Sequence, residues 1–150
     1  MTDTTQSARK AWLGTLAKAP AAEMARLWQG AGYAPEYEVL RAPEIGAVMV
    51  RGRAGAAGAA FNLGEMTVTR CSVRLVTGEV GHGYVQGRGK GHALQAALTD
   101  ALMQSPDAAE DVTTRIIAPL AQQAHAERST RAAKAAATKV DFFTIARGED

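Results

Sequence analysis

Five cations, Arg51, Arg70, Arg74, Arg88 and Lys90, are the side chains in this sequence best placed to do chemistry. Arginine's planar fork matches carboxylates and phosphates in a bidentate way. The group therefore reads as an anion site or as a docking surface for a partner. Arg88 and Lys90 lie in Gly87-Arg88-Gly89-Lys90-Gly91-His92, between a strand and the start of a helix. Exposed backbone N–H groups and the helix dipole favour an anion at such a junction. It is not a Walker A loop, since Gly91 follows Lys90 where Ser or Thr is needed and the leading glycine is missing. Gly81-His82-Gly83 likewise lacks the last glycine of a dinucleotide loop. The stretch reads equally as an ordinary flexible connection.

Little else points to catalysis. His82, His92 and His125 share no metal-ligand spacing, so no metal site is expected; His82 reads as half-buried, His92 as a first-turn helix residue and His125 as exposed. Glu65 is a lone carboxylate after a turn, a candidate acid or base but equally a cap or ion-pair partner. Cys71, the single cysteine, is expected to be buried at mid-strand and inert; it excludes an internal disulfide and a cysteine-based zinc site, as in a reducing compartment. No nucleophile, base and orienting group can be assembled from spacing, and no catalytic residue is assigned.

The elements that must position these groups follow from periodicity. Trp12, Leu13, Leu16 and then Met24, Leu27, Trp28 predict two helices within about 7–31, the second begun by Pro20. Extended structure is expected over about 36–87, with strands at Ile45–Arg53, Met66–Val76 and Glu79–Gln86 and an extended opening at Tyr37–Leu40, hence about four strands. Thr77-Gly78 reads as a two-residue hairpin turn. That register would set Leu75, Val73 and Cys71 against Val80, His82 and Tyr84 on one face. On the other it would set Arg74, Ser72 and Arg70 against Gly81, Gly83 and Val85, leaving room for a ligand or another backbone beside the glycines. Arg51 and Arg53 share a parity and could join this second face. Helices return over about 91–139, with a break near Pro119, and Val140–Ile145 forms an apolar tail whose Phe142 and Phe143 are candidate interface anchors. The fold class is α+β, an antiparallel sheet with helices before and after it, in a single domain over 1–150.

Composition limits what such a domain can do alone. Of 150 residues 32 are alanine, and Leu, Ile, Val and Phe together number 27, so the bulky core is thin, while a net charge of +2 does not hold the chain open. A domain that completes its burial against a partner fits this balance. The small charge excess does not indicate nucleic-acid binding. No apolar run is long enough for a membrane span and no signal-peptide core opens the chain, so a cytoplasmic location is expected.

Phe61-Asn62-Leu63-Gly64-Glu65-Met66-Thr67-Val68-Thr69-Arg70-Cys71, Gly83-Tyr84-Val85-Gln86-Gly87-Arg88 and Val140-Asp141-Phe142-Phe143-Thr144 closely resemble PhnG, a small subunit of the bacterial carbon–phosphorus lyase core complex. The resemblance runs from about Arg9 to Glu149 and includes Arg41-Ala42-Pro43-Glu44 and Ile117-Ala118-Pro119-Leu120; Gly89 and Gly91 depart from it, where the family more often carries a polar or acidic residue. It implies a subunit of a multi-subunit transferase. With companion subunits, that transferase displaces adenine from ATP with methylphosphonate, giving α-D-ribose 1-methylphosphonate 5-triphosphate. It implies no cofactor on this chain: ATP is the substrate of the complex, and the iron–sulfur cluster of the later radical step cannot be ligated by one cysteine. The alternative, on the residues alone, is a self-sufficient phosphate- or nucleotide-binding protein or enzyme using Gly87–His92.

Overall fold

Cys71, Val73 and Leu75 alternate along one strand and bury their side chains, and Val85 does the same on the next. The computed structural model describes residues 2–55 and 58–138. Helices α1 (Thr2–Lys18) and α2 (Ala21–Ala31) precede a three-stranded antiparallel sheet of β1 (Tyr37–Arg53), β2 (Ala60–Leu75) and β3 (Val80–Gln86), ordered β1-β2-β3. Helices α3 (Lys90–Leu102), α4 (Pro106–Val112) and α5 (Ala118–Ala137) follow, with a π-helical turn at Thr113–Ile117 joining the last two. The α+β class holds, with three strands where about four were expected.

One strand is lost because Tyr37–Leu40 and Ile45–Arg53 are continuous. The register against β2 shifts between Val39 and Arg41 and again between Arg41 and Glu44, so bulges absorb Arg41-Ala42-Pro43 without ending the strand. Proline is tolerated there because β1 is a sheet edge. The break expected near Pro119 takes the form of the π turn, in which Ala118 N–H donates to the Thr113 carbonyl immediately before the residue that has no N–H.

The β2–β3 turn is one residue longer than the sequence suggests. Gly78 N–H donates to Leu75 O, Leu75 N–H donates to Glu79 O, and Gly78 takes φ +108°, so the loop is Val76-Thr77-Gly78 with glycine at its end. That single residue flips every pair. Arg74 lies opposite Val80, Ser72 opposite His82 and Arg70 opposite Tyr84, while Val73 and Cys71 face Gly81 and Gly83.

The glycines therefore line the buried face, and what approaches them is the protein's own helix. A methyl group on Gly81 would lie 1.9 Å from the Ala97 carbonyl oxygen, and one on Gly83 1.9 Å from that of Ala93. Alanines 93, 96, 97 and 101 of α3 thus seat its backbone directly on β3, closed in by Leu16, Met24, Ile116 and Leu120. Close approach here supplies the packing that bulky side chains otherwise provide. The alanines of α5 find no such seat: only Leu120 of that helix is buried.

Candidate functional site

The arginines separate into two groups once the sheet is formed. Arg70 reaches Glu44 across the strands at 3.0 Å, and Arg41 bonds the same carboxylate oxygen at 3.1 Å; Arg74 lies 3.8 Å from Glu38. Hydrogen bonding from Arg70 is the main reason that the Glu44 carboxyl stays ionised below its ordinary range. These cations pair on the outer sheet face, with both members of each pair exposed. Arg51, Arg53, Arg88 and Lys90 have no ion-pair partner among the described residues, so their charge faces solvent. The five cations singled out in the sequence do not converge on one point.

The glycine-rich junction is held by its own backbone. Gly87 adopts φ +90°, its N–H donates to Thr67 O at 2.9 Å, and its carbonyl accepts from the Thr69 hydroxyl at 2.7 Å. His92 turns inward. Its Nε2 lies 3.1 Å from the Leu16 carbonyl; a carbonyl only accepts, so this nitrogen carries the proton. Burial pushes the His92 pKa below its ordinary value. Arg88 and Lys90 extend from the junction into solvent.

On the outer face the Ser72 hydroxyl and His82 Nδ1 are 2.9 Å apart, in a cross-strand pair that spacing alone did not reveal. His82 is exposed, more open than the sequence suggested, and beside it a trough of about 490 Å³ runs between α1 and β3. Leu13, Gly14 and Ala17 line it together with Lys10, His82 and Tyr84. Serine and imidazole at this distance can share a proton, but no carboxylate orients the ring among the described residues. Cys71 is buried, its Sγ lies 3.4 Å from the Arg41 carbonyl, and burial raises the thiol pKa, so it is shielded from reaction. Glu65 is exposed on the far half of the hairpin. His125 is exposed on α5, and no cluster of His, Cys, Asp or Glu among the described residues is arranged to hold a metal ion.

That far half is the larger surface feature. Beyond the last β3 pair, Val68 with Gln86, the strands continue as a two-stranded arm over residues 47–53 and 60–67. Met49, Phe61 and Leu63 on it and Ile45 just before it are exposed, Leu63 at 65%. Gly46, opposite Val68, leaves a notch of about 180 Å³ between Val48, Arg70 and Tyr84 at the arm's base. A bare two-stranded ribbon is marginal in water, and exposed apolar groups in a row mark an interaction surface.

The chain matches the family described as phosphonate metabolism protein PhnG over residues 7–148. It belongs to that family. The α-D-ribose 1-methylphosphonate 5-triphosphate synthase subunit PhnG of Rhizobium meliloti (strain 1021) is 46% identical over 143 residues, covering 95% of this chain and 90% of that protein. The match spans α1 through α5, including both strands of the arm and the Gly87–His92 junction.

Sequence reasoning passed over one polar centre. Asp100, fully buried on α3, accepts from Arg9 Nε at 3.1 Å and Nη2 at 2.7 Å, from Trp12 Nε1 at 2.9 Å and from the His82 backbone N–H at 2.9 Å. Arg9 and Gln104 also donate to the Val80 carbonyl, so the outer edge of β3 is capped by side chains from α1 and from the end of α3. The available signal was a lone acid, the only charge on α3 after Lys90, with Arg9 and Trp12 one helical turn apart to meet it. Phe142 and Phe143 lie outside the described residues. No helix among those residues is long and apolar enough to cross a membrane.

Proposed function

We propose that the chain serves in the cytoplasm as a subunit of α-D-ribose 1-methylphosphonate 5-triphosphate synthase, assembled with the other subunits of a carbon–phosphorus lyase core complex. In this reading a methylphosphonate oxygen forms the bond to ribose C1 of ATP as the bond to adenine breaks. ATP is a substrate of the complex, and this chain carries no cofactor of its own. Its contribution is to hold a companion subunit. The observation that carries the assembly role is the arm, apolar on exposed surfaces and longer than the domain beneath it can cover. The 46% identity to a protein named as a subunit of that synthase supports the activity.

Reconstitution tests this directly. Adenine release from ATP with methylphosphonate is expected only when this chain is mixed with the companion subunits, and neither fraction alone should turn over. Deleting Val140–Asp150 is expected to weaken assembly while leaving the circular dichroism of the sheet unchanged. Companion subunits that release adenine at full rate without the chain would overturn the proposal, as would the lone chain doing so. Micromolar binding of ATP to the isolated chain, lost on changing Arg88 and Lys90, would favour the Gly87–His92 junction as a site in its own right.

A further inference from the structure

The direction of the arm's backbone groups follows from two hydrogen bonds. Thr67 gives its carbonyl to Gly87 N–H, and Leu75 gives its N–H to Glu79 O, so the odd-numbered residues of β2 turn their polar backbone groups toward β3. In an antiparallel ladder the residue opposite such a position turns its own groups away from the pair. Ile45, Ala47 and Met49 lie opposite Thr69, Thr67 and Glu65. Their N–H and C=O groups therefore point out along the free edge of β1, and no described residue bonds to them there. Glu44–Val50 is also the regular part of the strand, bracketed by the register shifts at Arg41/Glu44 and Val50/Arg51.

The opposite edge of the sheet is treated differently. There His82 N–H is taken by Asp100 and Val80 O by Arg9 and Gln104. Natural sheets close or blunt their edges because an open one pairs with other chains. Side chains thus take two outward groups of the β3 edge, while the β1 edge is regular, has no partner among the described residues and is flanked by exposed Ile45 and Met49.

Charge narrows what can pair there. Arg51 and Arg53 follow the open run directly, and Glu65 is the only acid between Ile45 and Met66. A second copy fits badly: the symmetric register that pairs Ile45 with Met49 and Ala47 with itself sets Arg53 against Arg41 and Arg51 against Pro43. The first pairing juxtaposes like charges and the second meets a residue without an N–H.

We infer that the Ile45–Met49 edge of β1 is a strand-addition site, which takes an extended segment of a companion subunit with carboxylates beside Arg51 and Arg53. This rests on the assembly role proposed above. Main-chain bonds to Ile45, Ala47 and Met49 supply the affinity, and the arginines set the direction in which the segment lies.

Hydrogen exchange on the chain alone and in the reconstituted complex tests it. The Ile45, Ala47 and Met49 amides are expected to exchange at least about tenfold more slowly in the complex. Ala47→Pro removes an outward N–H and fixes the local φ, which an edge strand tolerates. It should weaken assembly about tenfold and leave the thermal midpoint of the chain alone unchanged. Equal exchange of these amides in both states would overturn the inference whether or not the proline variant folds. So would wild-type assembly by a folded Ala47→Pro chain, or a dimer of the chain alone that this substitution dissolves, which would assign the edge to a second copy. An assembled, chain-dependent synthase whose Ile45, Ala47 and Met49 amides exchange freely would defeat the strand addition alone; a synthase indifferent to the chain would defeat the assembly role itself.

Discussion

The two ends of the β1–β2 hairpin are built from similar residues and behave oppositely. At the base, Gly81 and Gly83 let α3 settle with backbone against backbone, and Asp100 gathers four hydrogen bonds from α1 and β3. Farther along, where β3 ends, Gly46 opens a notch that no described residue fills. The arginines divide in the same way, paired with Glu44 and Glu38 near the base and, at Arg51 and Arg53, without an ion-pair partner among the described residues. Small residues and cations thus close a structure where their complement lies in the same chain. Where it does not, they leave a surface for another.

Breaking the base should cost most. Asp100→Ala strands the Trp12 and His82 N–H groups and removes the partner of the partly exposed Arg9, a loss of about 1–3 kcal/mol for each stranded donor. Chemical denaturation read by Trp12 fluorescence measures it. Arg9 is partly exposed and can turn to water when Asp100 is removed, whereas Arg9→Ala leaves the buried Asp100 carboxylate without its cation, so Arg9→Ala should cost at least as much as Asp100→Ala; the reverse order would place the clamp's energy in the Trp12 and His82 bonds. Next comes Gly83→Ala, which puts a methyl group against a carbonyl oxygen that cannot move without the helix and should cost about 1–3 kcal/mol or more. Gly46→Ala, with open space around it, should be neutral. If both were tolerated alike, the contrast between the two glycine positions would not be one of packing.

How much of this was legible before folding depended on whether the deciding contact was local. Alternation placed β2 and β3, and helical spacing placed α1 and α2, because each pattern reports a face that is buried whatever it packs against. The turn failed by one residue, since Thr77-Gly78 and Val76-Thr77-Gly78 both put the glycine where the chain needs a positive φ. The slip moved Arg70 and Arg74 from opposite Val85 and Gly81 to opposite Tyr84 and Val80. The continuity of β1 was hidden by Pro43, which reads as a breaker unless the strand is known to be an edge. Asp100 was missed because its donors come from Arg9 and Trp12, roughly ninety residues away. The unpaired state of Arg51 and Arg53 is likewise a fact of tertiary structure: they differ from Arg70 only in where Glu44 falls.

A smaller effect comes from His92, which packs beneath α1. Its pKa is lowered by burial, so the unfolded chain binds a proton that the native ring refuses. The unfolded state then holds more protons as pH falls below the ordinary histidine value of about 6.5, and stability must decline through that range. A urea midpoint that drops between pH 7.5 and pH 5.5, with the slope flattened in His92→Gln, is the expected result. A midpoint independent of pH in the native sequence would mean that the ring is not shielded, and with it that α1 seats less firmly on the base than its bond to the Leu16 carbonyl indicates.

The smallest effect on the isolated chain is expected at the arm, and it is the most informative. Phe61→Ser and Leu63→Ser remove exposed apolar groups that pack on little, so each should change the unfolding free energy by no more than about 0.5 kcal/mol. The same substitutions should weaken assembly with the companion subunits by about tenfold or more each if these groups are anchors. Stability and assembly are then separable in one segment, which cannot be said of Asp100 or Gly83, where any loss of assembly follows from loss of fold. Should Phe61→Ser destabilise the chain as much as Gly83→Ala, the arm would be part of the core's own architecture. Should it leave both stability and assembly intact, the exposed ring at 44% accessibility would be incidental, and the docking surface would have to lie elsewhere, with the trough between α1 and β3 the next place to look.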